Sequence, residues 1–418
     1  MQPRRLNVGP DRTRLEDVAY RPVLLGEHDA LDPYTDYERL REKWGALAPV
    51  DMVPGVPAWL VLGYEEAASM LRSEIMFSRD PRNWAYVQRR ALPPGLLAVM
   101  APRESAYHVD GPRHRRLRAP IDDAFAAIDE TRLRVSVEVA CDAILDGLAG
   151  RGEADLIQDF TVPLCVYLLG ELLGLSHSDA QRMSLLTRDI FGARDTATAA
   201  SEESMQIMME HVAAHRPEPG DDLTTAMLEH SAMDNDVEVM TTLAEMFVLA
   251  HDAQVAWVAG ALHLLLTDER FAARLYGGRL DVTDAVDEAS RTRPPVVNVL
   301  PRFARQDCEL GGRYVAAGDA LIPAIVSANA DPALSIDDPL SDAGGRYHLT
   351  WGVGPHSCPA QRVASIIGRT AIAAVVHRIP QMRLAADPGE IRMVRSLWTR
   401  YPAALPVRFV EPVQASRW

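Results

Sequence analysis

The segment 235–267 carries apolar residues at three- and four-residue spacing over well over twice the length of an average helix. A helix that long and apolar on most sides has to run through the middle of a folded body. Its polar residues His251, Asp252 and Gln254 are expensive there unless they have partners or a task. The same spacing predicts helices over 36–46, 64–72, 113–126, 130–150, 160–174, 178–193, 201–214, 221–230, 281–291 and 359–378. Strand-like segments are short and fewer: 58–62, 308–310, 314–315, 320–325, 382–384 and 405–409. The expected fold is mainly α, with a small β region beside a large helical body. The stretch 331–346 is long, irregular and mostly polar, which inside one domain marks a functional or tightly tied loop.

Charge and cysteine usage narrow the function classes. A net charge of −15 argues against nucleic acid as the main partner, because phosphate binding needs a basic field. Cys141, Cys165, Cys308 and Cys358 have no paired or metal-type spacing, which fits a reducing cytoplasm. Residues 1–7 have arginines but no apolar run behind them, so no signal peptide is expected. The longest apolar run, 255–266, is interrupted by His263 and too short to span a bilayer, so no membrane partner is expected.

Cys358 stands in the run Trp351-Gly352-Val353-Gly354-Pro355-His356-Ser357-Cys358-Pro359-Ala360. A lone cysteine is ordinarily one more buried thiol. Here Gly352 and Gly354 let the backbone turn tightly and approach a flat cofactor, and Pro359 suits the first turn of a following helix. A cysteine at such a helix start is expected to have a lowered pKa. That framing points to an axial thiolate for haem, a ligand that pushes electron density to the iron and favours O–O cleavage.

Taken together, these residues resemble a cytochrome P450 from about residue 30 to the end. The run around Cys358 is similar to that family's Phe-Gly-x-Gly-x-His/Arg-x-Cys-x-Gly signature, with Trp351 for the Phe and Ala360 for the last Gly. The resemblance makes Cys358 the proximal ligand of haem b (iron protoporphyrin IX) and His356 a propionate partner. Glu288-Ala289-Ser290-Arg291 before Pro294-Pro295, 70 residues ahead of the cysteine (358 − 288), resembles the family's Glu-x-x-Arg ion pair. The family's Ala-Asn-Arg-Asp-Pro run reads Ala328-Asn329-Ala330-Asp331-Pro332, so Arg346 or water is the expected substitute for the lost arginine. His114 and Arg118, four apart on one helix face, together with Arg302, resemble the family's further propionate contacts. The family's fold is a helical body with a long helix over the haem and small sheets. The expectation is one such domain over 1–418, with 1–30 peripheral, as a monomer.

One departure stands out. The family's long helix carries Ala-Gly-x-Asp/Glu-Thr, an acid–alcohol pair that delivers protons during oxygen activation. The matching run is Leu249-Ala250-His251-Asp252-Ala253, followed by Gln254. In this register Asp252 is the acid and Ala253 replaces the alcohol, 35 residues before Glu288 (288 − 253), while His251 points away into the protein. Gln254, a substrate hydroxyl or amide, or a chemistry needing less relay could stand in. The expected activity is a haem-thiolate monooxygenase acting on a small natural-product intermediate, or an oxidative C–C or C–N coupling of an aromatic or cyclic-dipeptide substrate. A catalytically silent haem- or ligand-binding recruiter or sensor, and a peroxide-using enzyme, remain as alternatives.

By family topology the pocket would be lined from 84–100 (Trp84, Met100), from Val248, Leu249, Ala250 and Ala253, from Val296, Val297, Asn298 and Val299, and from Trp398. With no reductase segment in the chain, electrons would come from NAD(P)H through a ferredoxin reductase and a ferredoxin. Arg113, Arg115, Arg116, Arg118, Arg362 and Arg369 form the basic cluster where an acidic ferredoxin would dock.

Overall fold

The computed structural model describes residues 13–25, 31–192, 195–276, 281–334, 348–379 and 381–410. About 54% of the chain is helical, with small sheets. The chain divides into two compact units, one of residues 1–92 and 298–356, the other of residues 93–297 and 357–418.

The first unit is built on a five-stranded sheet in the order Leu47–Asp51, Pro57–Val61, Ala320–Pro323, Arg302–Ala304, Phe77–Ser78. Leu47–Asp51 and Pro57–Val61 form a hairpin in which Leu47 faces Val61, and Gly55 at φ +80° makes the reversal. Pro57–Val61 then pairs in parallel with Ala320–Pro323, Trp59 beside Leu321. Helix Tyr64–Arg72 lays Ala67, Ala68 and Met70 into a core shared with Leu47, Trp59, Val61 and Leu321. The short helix Ile325–Asn329 continues directly from the strand, so the strand expected over 320–325 ends at Pro323.

In the second unit the long helix runs from Asp236 to Thr267, 32 residues. Asn235 caps it, its side-chain oxygen accepting from the N–H groups of Val237 and Glu238, and Asp236 and Glu238 favour the same positive end. Around it pack helices Val162–Leu173, His177–Phe191, Ala197–His215 and Gln361–Arg378. This central helix is long and apolar enough to cross a membrane, contrary to the reading of its apolar run, but 67% of its most apolar window is buried inside the protein.

Helix Gln361–Arg378 follows the cysteine and begins one to two residues later than expected, with Ala360 at its cap. Gly368 lets it approach the central helix closely, since a Cβ there would stand 3.0 Å from the Trp257 ring. Its far end is held by the buried Arg378, which donates to Asp142 and Asp146 on helix Glu130–Asp146. Gly368→Ala is expected to overpack this contact and lower stability by about 1–3 kcal/mol, read as a lower midpoint of thermal unfolding.

Candidate active site

Cys358 is part-buried and three residues ahead of its helix. Burial pushes its thiol pKa up, and the Ala360 backbone N–H and the Arg118 charge pull it back only in part. The expected lowering by a helix start is therefore not found, because burial outweighs the other effects. A thiolate here needs a stronger stabiliser than the helix terminus, and a metal ion is one. Arg118 also pairs with Asp122 one turn on, at 2.7 Å. On the same helix, Gly111–Ala126, His114 is buried, 2% exposed.

The other residues expected at haem belong to the first unit. Gly352 and Gly354 take φ +68° and +79°. A Cβ on Gly354 would lie 2.7 Å from the Leu71 carbonyl and 2.9 Å from the Arg72 Cα, so the cysteine loop seats on the end of helix Tyr64–Arg72 only through a glycine. His356 Nε2 lies 3.1 Å from Glu74 Oε1. Arg302 is buried in its strand. Glu74 was not singled out in the sequence, where an acid in a short polar connection carries no signal.

The bracing of the loop includes partners that the sequence did not name. Both carboxylate oxygens of Glu288 accept from Arg274, at 2.9 and 2.8 Å. Asn329 takes a share of the bracing. Its Oδ1 accepts from the Leu349 N–H at 2.7 Å and its Nδ2 donates to Thr350 Oγ1 at 3.1 Å, just ahead of the cysteine run. Arg41 donates to the Ser327 carbonyl at 3.1 Å, and Asp331 accepts from the Tyr64 N–H at 2.8 Å. Arg346, the expected substitute, lies outside the described residues, as does most of 331–346.

On the central helix Met246, Val248, Leu249, Ala250 and Ala253 are only part-buried, while most neighbours are fully buried. At ~100° per residue, Met246, Leu249, Ala250 and Ala253 form one open stripe, with Asp252 and Gln254 on its two edges and His251 on the far side. His251 stacks on Phe247 at 5.7 Å, and burial pushes its pKa down to about 4. Asp252 is 2% exposed, and both its oxygens are engaged: Oδ2 accepts from Thr399 Oγ1 at 2.6 Å and Oδ1 from the Tyr401 hydroxyl at 3.1 Å. Burial pushes its carboxyl up to about 6, against the two donors and the Arg188 charge. Gln254 is buried, and among the described residues its Nε2 has no hydrogen-bond partner. Thr399 and Tyr401 were missed because nothing in the chain's spacing links them to residue 252.

Two expected pocket residues are used otherwise. Trp84 is buried in a stack between Tyr86 and Phe303, at 5.3 and 5.4 Å. The Asn298 amide donates to the Tyr37 hydroxyl at 2.8 Å. Val297 donates its N–H to the Trp398 carbonyl at 2.8 Å, Val296 bridges Thr399, and Val299 donates to the Pro323 carbonyl. Met100 ends helix Pro94–Met100, buried. The basic cluster is largely neutralised: Arg113 pairs with Glu104, Arg116 with Glu238, Arg118 with Asp122, Arg362 with Glu130 and Arg369 with Asp287, while Arg115 is exposed.

In one unit a part-buried thiol and a buried histidine, and in the other a buried arginine and a glycine that only backbone contact explains, are of the chemistry that an iron porphyrin with two carboxylates requires. Comparison with known proteins agrees. No family model matches the chain. It is 30% identical over 403 residues to 6-deoxyerythronolide B hydroxylase of Saccharopolyspora erythraea, covering 93% of this chain and 98% of that one. It is 29% identical over 422 residues to cytochrome P450 monooxygenase PikC of Streptomyces venezuelae, covering 97% and 99%. Among solved structures, CYP154C4 from Streptomyces matches with a TM-score of 0.83 at 26% identity, over 94% of this chain and 98% of that one. The chain belongs to the cytochrome P450 family, and with it to the oxidoreductases that use haem iron.

The titration of Asp252 gives a check on this geometry. Its folded pKa of about 6 lies above the ordinary 3.8, so its contribution to stability is complete below the lower value and is lost as pH rises through the higher. Asp252→Asn does not titrate. From pH 4 to pH 7 its stability relative to the native protein is expected to rise by on the order of 3 kcal/mol, seen as converging or crossing unfolding midpoints.

Proposed function

We propose that this chain is a cytoplasmic, monomeric haem-thiolate monooxygenase that oxidises a small natural-product intermediate with electrons from a separate ferredoxin and ferredoxin reductase. The observation that carries this reading is Cys358 in its two-glycine loop, set ahead of a helix that packs on the central helix. Bound haem supplies the oxygen chemistry, in which substrate RH, O2, two electrons and two protons give ROH and water. The protein's part is to hold and orient. Cys358 would bind the iron, and His114, Arg118, Arg302 and His356 would take the carboxylates. The stripe at Leu249, Ala250 and Ala253 would present an apolar surface to substrate. Two relatives are named as a hydroxylase and a monooxygenase, which supports the enzyme over a silent recruiter.

Ala253 favours a second reading. With no hydroxyl at that position, a substrate that supplies its own hydroxyl or amide, or a coupling in which two substrate C–H or N–H bonds become one new bond while O2, with two further electrons from the redox partners and two further protons, goes to two waters, suits the site better than simple hydroxylation. Aromatic and cyclic-dipeptide substrates are the first to test.

Four measurements bear on these readings. The reduced, CO-treated protein is expected to give the absorption band of a thiolate-ligated haem, and Cys358→Ser to lose it; its absence from the native protein would end the haem-thiolate reading. Turnover is expected with ferredoxin, its reductase and NAD(P)H, and to be at least tenfold slower with peroxide alone. Because five of the six cluster arginines already have acidic partners, ferredoxin affinity should fall only modestly with salt. An Ala253→Thr variant that leaves product and electron coupling unchanged would remove the support for substrate-assisted proton supply.

A further inference from the structure

We propose that Asp252 is a positioning residue of the substrate pocket: it moors the turn 397–401 along one edge of the open stripe of the central helix and so sets the shape of that side. The inference rests on the monooxygenase reading for its pocket, but the mooring stands on contacts alone. Each carboxylate oxygen of Asp252 holds a hydroxyl, Thr399 at 2.6 Å and Tyr401 at 3.1 Å. Thr399 and Tyr401 are themselves buried, 1% and 6% exposed, so neither hydroxyl has bulk water as an alternative partner.

The two donors are two residues apart, the spacing at which side chains of an extended segment share a face. Both therefore reach one carboxylate on one helix. The turn they belong to is tied on its other side as well. The Trp398 and Thr399 N–H groups donate to Ser396 Oγ at 3.1 and 3.3 Å. The Trp398 carbonyl accepts from the Val297 N–H at 2.8 Å, and Thr399 bridges Val296. A single side chain of the central helix thus holds two successive layers, the turn and then the segment after Pro294-Pro295. Asp252 lies ~100° around the helix from Ala253, which places the turn beside the stripe rather than over it. Moving the mooring moves Trp398 and Val296 relative to whatever lies against Leu249 and Ala253.

A positioning role makes a demand that proton delivery does not. Removing either hydroxyl while keeping the carboxylate should have the same effect as removing the carboxylate. Thr399→Val, Tyr401→Phe and Asp252→Asn are compared in the haem-loaded protein by two methods. Hydrogen exchange at peptides covering 296–299 and 397–401 should quicken about tenfold in Thr399→Val and Tyr401→Phe. Dissociation constants from the haem spin-state shift, over a panel of cyclic dipeptides, aromatic peptides and macrolactones, should change about tenfold and re-rank the panel in all three.

Exchange and binding both within twofold of native in Thr399→Val and Tyr401→Phe would overturn the proposal. So would an Asp252→Asn variant that loses product per electron at unchanged binding. If Asp252→Asn fails to fold, the two hydroxyl variants, which keep side-chain volume, still decide. A native protein without the thiolate-type CO band sinks the proposed function instead, and the exchange measurement then still judges the mooring.

Discussion

A helix of 32 residues that is apolar on most sides cannot face water, and the second unit is arranged to enclose it. Helices pack on it from several sides, one of them closely enough that Gly368 must lack a side chain beside Trp257. Enclosure then creates a second demand. A polar turn inside such a helix has lost its water and must find partners from elsewhere in the chain. Asp252 finds two hydroxyls from 147 and 149 residues away, whereas among the described residues His251 stacks on the face of Phe247 and is held neutral by burial. The neighbouring stripe, lined by small or apolar side chains, is where the enclosure is left incomplete.

The residues proposed to hold haem would answer a different electrostatic demand. An iron thiolate needs an anion where burial opposes one, and two carboxylates need cations. The chain meets the first only in part, with the Ala360 N–H and Arg118 working against burial at Cys358. On the proposed reading, His114, Arg118, His356 and Arg302 would meet the second. Glu74 lies beside His356, 3.1 Å from its Nε2.

What the sequence disclosed, and what it withheld, follows from the range of the interactions. The central helix, the cysteine loop and the His114 helix are local patterns of spacing, glycine and proline, and each was legible as such. The five-stranded sheet was only partly so. Leu47–Asp51 and Arg302–Ala304 are short, and their strand character comes from neighbours rather than from alternation. Long-range pairings were not legible at all. Nothing local says that Glu288 meets Arg274, that Asn298 spends its amide on Tyr37, or that Asp252 is met by Thr399 and Tyr401. Trp84 shows the same limit, since an aromatic in a loop reads equally as a pocket wall or as core, and the stack with Phe303 makes it core.

The same distinction bears on proton supply. With alanine at 253 and both oxygens of Asp252 already accepting hydroxyls, the polar group on the opposite edge of the stripe is Gln254, whose Nε2 has no hydrogen-bond partner among the described residues. An amide can hold a water in place by donating a hydrogen bond. It cannot do what an alcohol does, which is to accept one proton while releasing another, because its N–H is not acidic and its nitrogen lone pair is delocalised. A water fixed by Gln254 would therefore be oriented but poorly driven. On the proposed reading, the exchangeable proton is then best supplied by the substrate's own hydroxyl, or is less needed because a substrate radical closes on a second site. Either way, the loss of one hydroxyl from the central helix transfers part of the catalytic chemistry to the molecule it binds.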